Sequence, residues 1–239
     1  MIWLLLNVMP SIDFDDIFSQ ADRLRDSGRI DEAISAYSEI ARLATDGHET
    51  FFKARALHLA GVAAKIAILD QDSSYYRDAK NFFSAAEALY KTLNDPKMLG
   101  ALYRDFAVTA DYATDYQTAI TYYQKAIAML EPTEYFGELA ITYAKLGGHF
   151  AKLGKLTEAK SFIDRAMQIF KKEPTAGYHR ASTLIIGAKI QFLLGHFELS
   201  LDLAEESLSW FRADHPGRDF ARRQAQLYGL LSATEAQLG

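Results

Sequence analysis

Apolar residues along this chain fall three and four positions apart over long stretches, as in Ile17, Ala21, Leu24 and in Ala159, Ile163, Ala166. That spacing gathers them on one side of an α-helix. The prolines stand at 10, 96, 132, 174 and 216, and the runs between them are rich in Ala, Leu, Tyr, Phe, Glu, Lys and Gln. Proline cannot continue a helix interior, so these are helix lengths of chain separated by stops. The expectation is an all-α protein.

Self-comparison sharpens this. Gly28-Arg29-Ile30-Asp31-Glu32-Ala33, Thr114-Asp115-Tyr116-Gln117-Thr118-Ala119, Gly154-Lys155-Leu156-Thr157-Glu158-Ala159 and Gly195-His196-Phe197-Glu198-Leu199-Ser200 each read as a turn, an apolar residue, and a helix start. Each copy has a small residue at one fixed place. With Tyr76-Arg77-Asp78-Ala79 added, the small residues Ala33, Ala79, Ala119, Ala159 and Ser200 are spaced by 46, 40, 40 and 41 residues. A second small residue, Ala21, Ala107, Gly147 or Ala188, stands 12 positions before four of them. Small side chains at both places let two antiparallel helices approach closely, where a larger one would overpack the contact at a cost of about 1–3 kcal/mol. The spacing encodes a helical hairpin, repeated.

The pattern resembles the tetratricopeptide repeat, which pairs an aromatic, Leu-Gly and Tyr on a first helix with Ala, an aromatic and Ala on a second, then Pro. The fullest copy runs through Tyr143, Leu146, Gly147, Phe150, Gly154, Leu156, Ala159, Ile163, Ala166 and Pro174. The copy before it carries Tyr103, Phe106, Ala107, Tyr116, Ala119, Tyr123, Ala126 and Pro132. The resemblance implies a right-handed α-α superhelix, a solenoid of about five hairpins over residues 11–215, at about 13–45, 50–93, 96–131, 134–173 and 176–214. Residues 217–239 are expected to form a capping helix or the first helix of a truncated sixth repeat, and residues 1–10 a hydrophobic extension. From Ala33 to Gly61 and from Ala119 to Gly147 there are 28 residues. A 34-residue repeat would leave about 22, so the second helix or its exit linker is expected to be about two turns longer. This is similar to the 40-residue variety found in kinesin light chains. The second unit carries six further residues around Asp70 to Ser74, expected as a surface turn.

Composition narrows the function. With 49% apolar and 24% charged residues the chain lies far from the disordered class. A net charge of -5 argues against a general nucleic-acid binder, which needs a cationic surface. No cysteine is present, which removes disulfides, thiolate zinc sites and a cysteine nucleophile. Met1 to Val8 is apolar but too short to span a bilayer, which takes about 20 residues, and lacks the basic leader of a signal peptide. It is expected to pack on the first repeat or to precede a natural start at Met9, with membrane or partner contact as the alternative. Cytoplasmic residence follows as the expectation.

Candidate chemistry is sparse. The histidines at 48, 58, 149, 179, 196 and 215 never fall three or four apart, so no helix offers a two-histidine metal face. Gly147-Gly148 is followed by no Lys-Ser or Lys-Thr and reads as close packing, not a phosphate loop. No cofactor, metal or small-molecule substrate is expected, and no enzyme activity. What remains is the groove that the resemblance places on the first helices. Its stripe, taken at helical period, includes Arg55, His58 and Lys65, then Arg104 and Asp111, then Ile141, Ala144, Gly148 and Ala151, then Lys189. The cationic part and the small, apolar part together suit a peptide with acidic and apolar segments. Chaperone-binding members clamp a carboxylate with Lys and Asn at first-helix places that hold Phe18 and Asp22, His58 and Val62, and Arg104 and Val108 here, so that partner class is disfavoured. The expected function is a protein-protein interaction scaffold or adaptor, with a peptide-sensing regulator acting through a second protein as the alternative.

Overall fold

A computed structural model describes residues 12–44, 49–70, 72–172, 177–211 and 218–238. Met1 to Val8, with the expectations placed on it, lies outside them. The described residues are helical and contain no strand. The chain divides into two compact units, one of residues 1–95 with 112–115 and one of residues 96–111 with 116–239.

Unit 1 holds α1 (Phe14–Asp26), α2 (Ile30–Leu43), α3 (Thr50–Leu69), a short 3-10 turn (Ser73–Tyr75) and α4 (Tyr76–Leu93). α1 packs on α2 and α3 on α4, and α3 also touches both helices of the preceding hairpin. Unit 2 follows the same rule. α5 (Pro96–Tyr112) precedes α6 (Tyr116–Leu130), α7 (Phe136–Lys152) pairs with α8 (Leu156–Lys172), and α9 (Gly177–Leu193) pairs with α10 (Phe197–Phe211). The last helix, α11 (Arg218–Leu238), packs on α10 and α9 and buries Leu227 completely. First helices also touch one another, α7 to α9 and α9 to α11.

One backbone feature recurs in the hairpin turns. Gly28, Thr114, Gly154 and Gly195, each five places before a small anchor, adopt left-handed φ values of 83°, 61°, 73° and 78°. In three of these turns the following N–H, from Arg29, Lys155 or His196, donates to the carbonyl of Leu24, Phe150 or Gln191 at 2.9–3.0 Å. This caps the first helix and reverses the chain in a Schellman-type closure. Thr114 departs from the rule, because a β-branched residue is disfavoured in that conformation.

Close helix approach rests on the anchors. Ala33, Ala79, Ala119, Ala159 and Ser200 have no exposed surface. A Cβ on Gly147 would stand 3.0 Å from the Ala159 carbonyl oxygen, and one on Gly61 would stand 2.6 Å from the buried Phe83 ring. Serine replaces alanine twice in α10, and both hydroxyls are satisfied across the hairpin: Ser200 donates to Ala188 O at 2.9 Å and Ser207 to Ala181 O at 2.8 Å. Burial of an unpaired hydroxyl would cost free energy, so these bonds make the substitution tolerable. Between Ala119 and Gly147 the chain completes α6 at Leu130, crosses Glu131 to Tyr135, and spends 136–146 on the front of α7. In the inserted part of the second hairpin, within unit 1, Asp72 caps the short 3-10 turn and accepts the Ser74 N–H at 3.0 Å.

Two substitutions should move stability in opposite directions. Gly61→Ala drives a methyl into the Phe83 ring and is expected to cost about 1–3 kcal/mol. Thr114→Gly relieves a left-handed β-branched residue and, after the unfolded-state entropy of glycine, should gain up to about 1 kcal/mol. Thermal unfolding followed by circular dichroism measures both; a higher melting temperature for Gly61→Ala would refute the close-contact account.

Candidate functional site

In unit 1 the stripe is largely consumed by packing. The Arg55 guanidinium lies 4.2 Å from the centroid of the Phe18 ring, and Phe18 is itself buried. His58 is buried edge-on to Phe83 and Tyr90, with ring centroids 6.0 Å from each. Lys65 is half-buried and is not free of partners. Of these three, Arg55 and Lys65 retain some exposed surface.

Unit 2 neutralises most of its stripe charge internally. Arg104 of α5 forms an ion pair with Glu138 of α7 and lies near Asp105. Burial alone would lower the Arg104 pKa; the Asp105 and Glu138 carboxylates outweigh it and hold the guanidinium charged. Asp111 of α5, almost fully buried, meets two cationic or hydrogen-bonding groups of α7: His149 Nδ1 at 2.9 Å and the Lys152 ammonium. Burial would raise the Asp111 pKa, but the bonds from His149 and Lys152 outweigh it and depress the carboxyl below its usual range. An ionised carboxylate only accepts, so Nδ1 of His149 carries the proton it shares. Its Nε2 finds no hydrogen-bond partner and sits among the rings of Tyr116, Tyr123 and Phe150, with centroids 5.8–5.9 Å away. Lys189 on α9 is exposed and makes no ion pair with a described residue. Ile141, Gly148 and Ala151 of α7 and Ile186 of α9 form a partly exposed shelf on one core cluster, with Ser182 and Phe192 also partly exposed along α9, whereas Ala144, expected in the groove, is buried. A Cβ on Gly148 would meet Ile186 at an ordinary 3.7 Å.

A second feature escaped the sequence reading. On the second helices of unit 2 a cation covers an aromatic pair at the same repeat position twice. Lys125 lies over Tyr103 and Tyr122 at 5.5 and 4.4 Å, and Arg165 over Tyr143 and Phe162 at 5.7 Å each. Beside the second of these opens a bowl of about 480 Å³ with a floor of Leu139, Tyr143 and Ile169, and Phe136 and Lys172 at its edge. The Tyr143 hydroxyl donates to Glu131 at 2.6 Å. Burial and that carboxylate raise the Tyr143 pKa, while Arg165 opposes them. The 40-residue recurrence of a basic residue three places after an aromatic was the signal that could have revealed it.

Paired helices with small-residue contacts, left-handed turns and first helices abutting one another define a tetratricopeptide-like fold. Solved structures agree: BtubC (BKLC) from P. vanneervenii aligns over 96% of this chain and 85% of its own, with a TM-score of 0.69 at 16% identity. The nearly identical TPR-like repeats of a Podosopora anserina putative kinesin light chain align over 82% of this chain and 94% of their own, with a TM-score of 0.60 at 14% identity. At such identities the likeness is one of fold. No family model and no curated protein matches the sequence. Among the described residues no group of three or more His, Asp or Glu is placed to hold a metal ion.

The Asp111 cluster makes a pH prediction. Because its folded-state pKa is depressed, the stability it contributes is present above the ordinary carboxylate value of about 4 and is lost as pH falls through the lower folded value. Asp111→Asn should therefore lower stability near neutral pH by about 1.5–3 kcal/mol. Its difference from the wild type should shrink below about pH 4. Urea unfolding at stepped pH tests this, and a pH-independent difference would contradict it.

Proposed function

We propose that this chain is a non-catalytic, cytoplasmic interaction scaffold that holds a peptide or helix of a partner protein against the first-helix side of its repeats. The observation that carries the reading is the half-exposed shelf of α7 and α9 in unit 2, where small and apolar residues lie open beside the exposed Lys189. Such a surface buries apolar side chains of a partner while the ammonium meets a carboxylate, so a segment with acidic and apolar parts is the fitting occupant. Arg55 offers a further cation in unit 1, whereas Arg104 and Asp111 serve the reading by holding α5 to α7. No described helix is long and apolar enough to cross a membrane.

Gly148→Leu tests the shelf: a leucine there keeps α7 helical and fills the place a partner side chain would take. Immobilised wild-type protein should retain a partner from the source cell that the variant retains at least tenfold less, with unchanged helicity. Lys189→Glu should weaken retention of the same partner. Equal retention by all three proteins would reject the shelf as the binding surface.

A further inference from the structure

We propose that the bowl between the end of α6, the front of α7 and the back of α8 is a second docking point, built to receive an aromatic side chain of a partner protein with an acidic residue beside it. The hairpin that follows shows why the bowl is open. The step from Gly147 to Ala188 and from Ala159 to Ser200 is 41 residues, which matches Phe136 with Gly177 and Ile169 with Trp210. In the α9–α10 hairpin the Trp210 indole occupies this place: a Cβ on Gly177 would stand 2.5 Å from its Nε1, and the ring packs against Tyr178 and Phe211. In the α7–α8 hairpin the shorter Ile169 leaves the space empty, and Phe136 stays 45% exposed at its edge. One hairpin thus fills from within what the other leaves for a guest, and the filler is an aromatic ring.

Charge points to the neighbour of that ring. The same 41-residue step matches Leu139 with Arg180 and Arg165 with Glu206, and Arg180 and Glu206 form an ion pair that closes the α9–α10 hairpin. Around the bowl Arg165 and Lys172 have no carboxylate partner among the described residues, while Glu131 is engaged by the Tyr143 hydroxyl. The lining carries two cations against the single carboxylate of Glu131, so the opening is net positive and suits an acidic group. The volume of about 480 Å³ falls in the range of about 300–1,000 Å³ usual for small-ligand sites. One side is open, so a peptide chain can continue past the anchored ring. The inference rests on the chain's being a protein-binding scaffold, but it places the contact on a surface separate from the shelf.

The probe is the peptide acetyl-Gly-Glu-Phe-Glu-Gly-amide, titrated into the full-length protein labelled with nitrogen-15. Saturable shifts are expected for amides of residues 136–143 and 165–172. Arg165→Glu should weaken binding at least tenfold. The double variant Phe136→Gly with Ile169→Trp, which reproduces Gly177 and Trp210 of the next hairpin, should fill the bowl and weaken binding likewise with helicity unchanged. Gly148→Leu should leave the peptide bound, which separates failure of the shelf from failure of the bowl. Absence of saturable shifts, wild-type affinity in either bowl variant, or equal binding of a peptide with lysine in place of glutamate would overturn the proposal. Equally tight binding of 3-phenylpropanoate would overturn it in favour of a small-acid site.

Discussion

Everything in this structure depends on how closely two antiparallel helices can approach where small residues face each other. Ala119, Ala159 and Ser200 lie wholly out of solvent, and beside them Gly147 stands near enough to the Ala159 carbonyl that even a methyl would press on it. At that separation the larger residues of the second helix, Tyr123, Ile163 or Phe170, reach into the space between successive pairs and become the core. Dispersion contacts of this kind are individually weak and collectively large, so the closeness set by a few alanines decides how much of the aromatic surface is used. The left-handed turn is the second half of the same constraint, since it brings the chain back at the distance the alanines require.

Polar groups inside the repeats follow a consistent logic. Where a hydroxyl takes the place of a methyl, as at Ser200 and Ser207, it finds a carbonyl on the facing helix. Where charges lie at the contact of successive first helices, they are paired across it, Arg104 to Glu138 and Asp111 to His149 and Lys152. Breaking one partner of a buried pair strands the other, whereas the intact pair gains little over well-packed apolar residues of the same size. We therefore read these pairs as fixing which helix meets which and in what register.

That logic also explains what could and could not be read from the chain. The hairpins, their turns and their small contacts were legible because each is written in local spacing and repeated: Gly154, Ala159 and Gly147 need only their own hairpin to be understood. The charge character of the expected groove was not. Arg104 looks like an available cation until Glu138, 34 positions on and off the stripe, is brought beside it by the next pair of helices. His58 likewise reads as a groove residue, yet it is enclosed by Phe83 and Tyr90 from α4. A helical stripe names the side of a helix, but its neighbours decide whether that side is open.

In a repeat array the most informative positions are those where one copy departs from the rest. Features shared by all copies serve the fold, because each unit must bury its flank against the next. Thr114 is such a departure, keeping the turn conformation without the residue that favours it. Ile169 against Trp210 is another, and it differs in kind. It leaves the α8 backbone in the same regular helix and alters only what fills a space, so it costs the fold little and creates an opening. Arg165 against Glu206 changes the sign of the charge at the rim of that same opening. A single exchange of either kind would be unremarkable surface drift. Two exchanges that empty one space and reverse the charge beside it act on the same chemistry, which is why the departure is best understood as a site.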